Sequence, residues 1–128
     1  MFPTILVFVG AGFGGVLRHG VNLTAARLFG TSFPWGTLTV NIVGSLVMGL
    51  AAGYFAFRDG MNWTQHARLF LTTGVLGGFT TFSTFSLDVA VLLERGETGS
   101  AVIYALASLV VSVLALFAGL WLVRTLAG

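Results

Sequence analysis

Four long apolar segments, separated by short polar stretches, fill almost all of this chain. A helix that crosses the hydrocarbon core of a bilayer needs about 20 mostly apolar residues. Segments of this length run at approximately residues 3–29, 35–57, 67–93 and 100–123. The sequence therefore predicts an all-α membrane protein with four transmembrane helices in a single transmembrane domain, residues 1–128. We expect it in the plasma membrane, which is the inner membrane of a bacterium.

The composition agrees with a membrane protein and argues against other classes. Of the 128 residues, 56% are hydrophobic and 8% are charged, so the chain lacks the polar groups that cover a small soluble domain. The net charge is +2, but the arginines are scattered near segment ends, as membrane anchors are, and we expect no nucleic-acid partner. The lack of cysteine excludes disulfides and thiolate metal sites. The first residues lack the positive region of a signal peptide, so we expect the first segment to be retained.

The arginines are almost evenly divided between the two ends of the predicted bundle. Short loops make successive helices antiparallel, which places Arg58, Arg68 and Arg124 on one face and Arg27 and Arg95 on the other. The arginine and lysine bias between loops sets the orientation of a membrane protein. A bias this small favours insertion in both orientations and antiparallel pairing of two copies. The alternative is that a difference of one arginine still fixes a single orientation.

Polar or small residues recur every four positions on three of the segments. A spacing of four places side chains on one face of a helix. Such stripes often serve only to join helices, but an arginine within the membrane is costly unless it faces water or a partner. Three stripes together favour a shared hydrated path, and their neutral or positive donors suit an anion. The stripes are Gly10, Gly14, Arg18 and Asn22; Thr37, Asn41 and Ser45; and Tyr104, Ser108 and Ser112.

The third segment is interrupted near its middle. Gly77 and Gly78 are followed by β-branched threonines, a poor composition for a continuous helix. Unwound backbone within a membrane persists only where it is buried in protein or lines a site, and its freed carbonyls are suitable ligands for sodium. Phe82 and Phe85 share a face beyond this point. Packing is the usual role of such rings, although their electropositive edges could also contact an anion.

Two motifs resemble those of the Fluc/CrcB fluoride channels. Residues 77–86 read GGFTTFSTFS and residues 35–41 read WGTLTVN, and both are similar to elements of that family. The region from Gly10 to Arg18 and the serines of the fourth segment also fit. The chain departs from the family pattern at Phe79, where leucine is usual, and at His19, where an aromatic residue commonly follows the arginine.

The resemblance implies an antiparallel, dual-topology homodimer in the bilayer, with two pores and a structural sodium ion at the interface. Gly77 and Thr80 match the positions whose backbone carbonyls hold the sodium. Arg18 matches an arginine of the pore vestibule. The other positions that the resemblance places in the fluoride pore are Asn41, Phe82, Ser83, Thr84, Phe85, Tyr104, Ser108 and Ser112.

The function implied is passive export of cytoplasmic fluoride, which confers fluoride resistance and needs no enzyme activity. The main alternative is a small proton-coupled exporter of the multidrug type, which requires a titratable carboxylate deep in the membrane. Asp88 is the only acid well inside a predicted span, and it lies near the end of the third. A third alternative is a non-transporting assembly subunit, which would not need an arginine and three donor stripes within the membrane.

Overall fold

A computed structural model describes residues 1–56, 62–80 and 82–127. The described elements are all helices, joined by turns. They are α1 (Phe2–Phe29), α2 (Trp35–Ala56), α3 (Asn62–Arg68), a π-helix π1 (Leu69–Leu76), α4 (Gly77–Phe79), α5 (Phe82–Glu94) and α6 (Thr98–Ala127).

Within the described residues, four stretches are long and apolar enough to cross a membrane. They are Phe2–Phe29, Trp35–Phe55, Thr64–Glu94 and Thr98–Leu126. Each exceeds the length of about 20 residues that the hydrocarbon core requires. The prediction of an all-helical protein with four membrane-spanning helices is therefore confirmed.

The third span is built from several helical elements. Its first half includes the eight residues of π1, although π-helices are rare and usually a single turn long. The N–H of Gly77 at the end of π1 donates to the carbonyls of Thr72 and Gly74. The Thr72 hydroxyl donates to the Arg68 carbonyl at 2.6 Å. This wider helix was not predicted from the sequence, because hydrophobic periodicity does not separate a π-helix from an α-helix over so short a stretch.

The backbone leaves the helical conformation at Thr80. Phe79 ends α4, Thr80 is extended with φ −96° and ψ 152°, and α5 begins at Phe82. The N–H and the hydroxyl of Thr80 both donate to the carbonyl of Leu76, each at 3.0 Å. Its two donors therefore complete the preceding turn at the end of α4.

Glycines allow α1 to approach the third span closely. A Cβ atom added to Gly10 would lie 2.6 Å from the carbonyl oxygen of Phe70, and one added to Gly14 would collide with the backbone of Val75. Small residues at such spacing are typical of tightly packed membrane helices. The Gly10–Gly14 part of the first predicted stripe is thus a packing face and not a wall of a hydrated path.

One cluster of fully buried residues lies at the end of the bundle near the α1–α2 turn. Leu92 of α5 packs with Ala101 and Tyr104 of α6, and Phe33 and Phe85 cover this cluster. Much apolar surface elsewhere is exposed on the single chain, as a lipid environment requires.

Candidate functional site

An open cavity of about 310 Å³ lies among α2, α5 and α6, at the level where Thr80 leaves the helix. We call it the central cavity. It brings together six of the residues predicted from the sequence to form a site, although they come from three of the four spans. These six lining residues are Asn41, Thr80, Phe82, Phe85, Ser108 and Ser112.

The hydroxyls of Ser108 and Ser112 are the donors most available to an occupant of the central cavity. Both oxygens are buried, and neither makes a hydrogen bond of good geometry within the described part of the chain, although the Ser108 hydroxyl lies close to that of Tyr104. A buried polar group without a partner is costly and therefore uncommon. Because both residues line the central cavity, a molecule or ion within it could satisfy them.

The cavity is also lined by two aromatic rings. The ring centroids of Phe82 and Phe85 are 5.5 Å apart, with an angle of 40° between the ring planes. The edge of an aromatic ring is electropositive, so rings beside hydroxyl and amide donors suit an anion. No described residue that lines this cavity is ionisable. Its polarity therefore comes from neutral dipoles and ring edges.

Tyr104, the first residue of the predicted α6 stripe, lies beside this cavity and not in its lining. Its side chain is fully buried, and its ring centroid is 5.2 Å from that of Phe85. Its hydroxyl donates a hydrogen bond to Asp88 of α5 at 3.0 Å. From the sequence, Asp88 was a candidate only for proton coupling, and this contact was not predicted. A signal was present, because a buried tyrosine hydroxyl usually needs a partner and Asp88 is the only acid well inside a span.

A second cavity, also of about 310 Å³, lies beside the α1–α2 turn. We call it the turn cavity. Its lining is more polar than that of the central cavity and includes both a carboxylate and a guanidinium, and Phe33 of the turn contributes an aromatic wall. This cavity was not predicted from the sequence. The polar side chains in its lining include Asn22, Ser32, Thr37, Thr84, Asp88 and Arg95.

Tyr104 contacts the linings of both cavities. Phe85 on one side belongs to the central cavity, whereas Asp88 and Phe33 belong to the turn cavity. Tyr104 packs against Phe85 and Phe33 and hydrogen-bonds to Asp88. It therefore stands between the two cavities.

The remaining predicted residues lie outside the central cavity. Thr84 lines the turn cavity. Arg18 is half-buried on α1 and lines neither cavity, whereas Ser83 is exposed on α5. Gly77 is exposed at the start of α4. Within residues 1–56, 62–80 and 82–127, no group of three or more histidine or acidic side chains could hold a metal ion.

Comparison with known proteins gives consistent matches over almost the whole chain. The model of a family described as CrcB-like protein, Camphor Resistance (CrcB), matches residues 5–120. A protein of Nitrobacter hamburgensis named fluoride-specific ion channel FluC 2 is 60% identical over 122 residues, which are 95% of this chain and 97% of that protein. Two proteins named fluoride-specific ion channel FluC are also similar. The one from Methylobacterium nodulans is 58% identical over 97% of this chain and 98% of its own length. The one from Rhodopseudomonas palustris strain BisB5 is 54% identical over 95% of this chain and 97% of its own length.

Proposed function

This chain belongs to the CrcB family, which its 77–86 motif resembles, and we propose that it is a passive, fluoride-selective channel through which cytoplasmic fluoride leaves the cell. The four spanning helices and the family make it a multi-pass protein of the bacterial inner membrane. Its relatives are named as ion channels and not as enzymes. By lowering cytoplasmic fluoride, the channel confers fluoride resistance.

The central cavity is the observation that carries this proposal. Fluoride is small and strongly hydrated, so a pore must replace its water with hydrogen-bond donors. The buried hydroxyls of Ser108 and Ser112 and the amide of Asn41 are such donors. The rings of Phe82 and Phe85 add electropositive edges. Donors at fixed positions fit a small anion better than a large one, which supports selectivity for fluoride over larger halides.

Proton-coupled export is not supported as the mechanism. An exporter of that kind needs a titratable carboxylate where its substrate binds, and the described lining of the central cavity contains none. Asp88 lines the other cavity and accepts the hydrogen bond of Tyr104. The relatives are named as channels. Fluoride movement is therefore passive.

The working unit is an antiparallel, dual-topology homodimer. The near balance of arginines between the two ends of the bundle supports insertion in both orientations. The central cavity is open at the surface of the single chain, and Phe82 in its lining is 78% exposed. A second copy would close this opening and shield Phe82, which gives each dimer two pores.

The third span is broken at mid-membrane, and the break holds a structural sodium ion. The extended backbone of Thr80 supports this part of the proposal, because a residue in that conformation does not direct its carbonyl along the helix axis. Gly77 is exposed on the protomer and accessible to a partner copy. Carbonyl oxygens from unwound membrane helices are suitable ligands for sodium. Gly77 and Thr80 would hold the ion, which would link the two subunits.

Fluoride efflux from proteoliposomes tests the proposal. We expect a fluoride electrode to record efflux only when a potassium ionophore balances the charge, and we expect little efflux of chloride in the same vesicles. A proton gradient alone should not concentrate fluoride. Proton-driven fluoride flux against its gradient would show that the protein is an exporter and not a channel. An absence of fluoride flux both with the ionophore and with the proton gradient would overturn the proposed function altogether.

A further inference from the structure

Tyr104 is held by two phenylalanines that come from distant parts of the chain. Its ring meets that of Phe85 with centroids 5.2 Å apart and planes tilted by 37°. It meets that of Phe33 with centroids 5.6 Å apart and planes at 88°, an edge-to-face contact. Aromatic pairs favour such offset and edge-to-face arrangements. The two rings therefore restrict Tyr104 at two different angles.

Phe33 is itself fixed, although it belongs to the turn between α1 and α2. Its carbonyl accepts a hydrogen bond from the N–H of Trp35 at 2.8 Å, and the centroids of these two rings are 4.7 Å apart. Its side chain also packs against the buried cluster of Leu92, Ala101 and Tyr104. A turn residue anchored at both its backbone and its ring can hold a neighbour in place.

We infer that Phe33 is a positioning residue for conduction, which keeps the Tyr104 hydroxyl oriented between the central cavity and the turn cavity. The inference rests on the proposed function, since it requires fluoride to move between these cavities. Tyr104 contacts the linings of both, and its hydroxyl is a polar group at the boundary. The hydroxyl has a single proton, which it donates to Asp88, so a permeating ion would have to take the place of that acceptor. If the ring could swing away, the ion would lose this donor. Phe33 prevents that motion from the turn side.

Replacement of Phe33 by leucine tests this role, because leucine keeps an apolar side chain but removes the ring. The free energy of one aromatic contact corresponds to a change of about fivefold in rate. We therefore expect the Phe33→Leu channel to conduct fluoride about fivefold more slowly than the wild type. Phe33→Tyr keeps the ring and should slow conduction less than Phe33→Leu does.

Phe29→Leu is the matched control. Phe29 is the next aromatic residue toward α1, and its ring lies 5.6 Å from that of Trp35. It is 62% exposed and has no ring contact with Tyr104. We expect Phe29→Leu to conduct at the wild-type rate. Equal slowing by Phe29→Leu and Phe33→Leu would assign the effect to the turn as a whole and overturn the inference.

A double-mutant cycle separates positioning from general packing. If Phe33 acts through the Tyr104 hydroxyl, Phe33→Leu should cause no further slowing in a Tyr104→Phe channel. Independent, multiplicative effects of the two changes would overturn the inference. If Phe33→Leu does not give a folded protein, Phe33→Met replaces it in the cycle, since methionine fills irregular space without a ring. Failure of the wild type to conduct fluoride would instead overturn the proposed function, so the two failures are distinguishable.

Discussion

The hydroxyl of Tyr104 in α6 and the carboxylate of Asp88 in α5 are joined by a hydrogen bond of 3.0 Å. The two residues are 16 positions apart in the sequence. The bond joins α6 to α5 at a residue that lines the turn cavity. It gives the buried tyrosine hydroxyl an acceptor. It also orients the proton of that hydroxyl toward the turn cavity, where Asp88 lies.

Removal of the Asp88 acceptor should destabilise the protein. Asp88→Leu removes the carboxylate acceptor of the buried Tyr104 hydroxyl and leaves only the hydroxyls of Thr37 and Ser108 near it, a change that costs about 1–3 kcal/mol. Asp88→Asn keeps an acceptor oxygen of similar shape and should cost less. We expect thermal unfolding in detergent to occur at a lower temperature for Asp88→Leu than for Asp88→Asn. Equal unfolding temperatures would mean that the hydrogen bond contributes little to stability.

Ser112→Ala should slow conduction without loss of stability. The Ser112 hydroxyl is buried and has no partner within the described residues, so its removal breaks no hydrogen bond there. A lost donor in the path leaves fluoride less well solvated there. A resulting increase of about 1.4 kcal/mol in the barrier to permeation slows conduction tenfold. Efflux and unfolding measured on the same preparation check both parts. Ser112→Thr, which retains a hydroxyl, is the control, and a destabilised Ser112→Ala variant would show that the hydroxyl is structural.

Asn41→Leu should remain a normal dimer and conduct fluoride about a hundredfold more slowly. Interhelical hydrogen bonds in membranes contribute only about 0.6 kcal/mol on average, so the dimer should persist. A barrier to fluoride that is higher by about 3 kcal/mol slows conduction about a hundredfold. Size exclusion and efflux separate the two effects. Val43→Leu is the matched control, because Val43 is an exposed residue of the same helix that does not line the central cavity. Dissociation of Asn41→Leu would identify Asn41 as a joint between helices, and normal conduction would remove it from the pore.

The proposed sodium site should tolerate Thr80→Ser but not Gly77→Val. Serine keeps the backbone carbonyl and the hydroxyl that donates to Leu76. The helical backbone of Gly77 accepts a side chain, since an added Cβ would meet only the carbonyl oxygen of Thr72, at 3.7 Å. The branched side chain of valine would instead occupy the exposed surface by which a partner copy would approach the ion. We expect sodium to raise the unfolding temperature of the wild type and of Thr80→Ser, and not that of Gly77→Val. An equal response of the two variants to sodium would argue against a backbone site.

Both orientations should be present in the membrane. The near-equal arginine count at the two ends of the bundle gives little preference for either. A tag on the C-terminus should therefore be labelled by membrane-impermeant reagents from both sides of the membrane. Labelling from one side only would eliminate the antiparallel dimer as the native assembly.

The sequence alone was sufficient for features that depend on local composition and spacing. The length and apolar character of four segments determined the four spanning helices. The 77–86 motif was sufficient to identify the family, because its residues are contiguous. The spacing of four along α6 placed Ser108 and Ser112 on one face, and both line the central cavity.

Only the tertiary structure decided which helix faces meet. Periodicity shows that residues share a face but not what that face contacts, so the Gly10–Gly14 stripe and the Ser108–Ser112 stripe looked equivalent in the sequence. The first packs against the backbone of the third span, whereas the second lines a cavity. The contacts of Tyr104 with Asp88 and Phe33 depend on how α5, α6 and the α1–α2 turn converge. Such contacts form between residues far apart in the chain, and no local pattern encodes their distance.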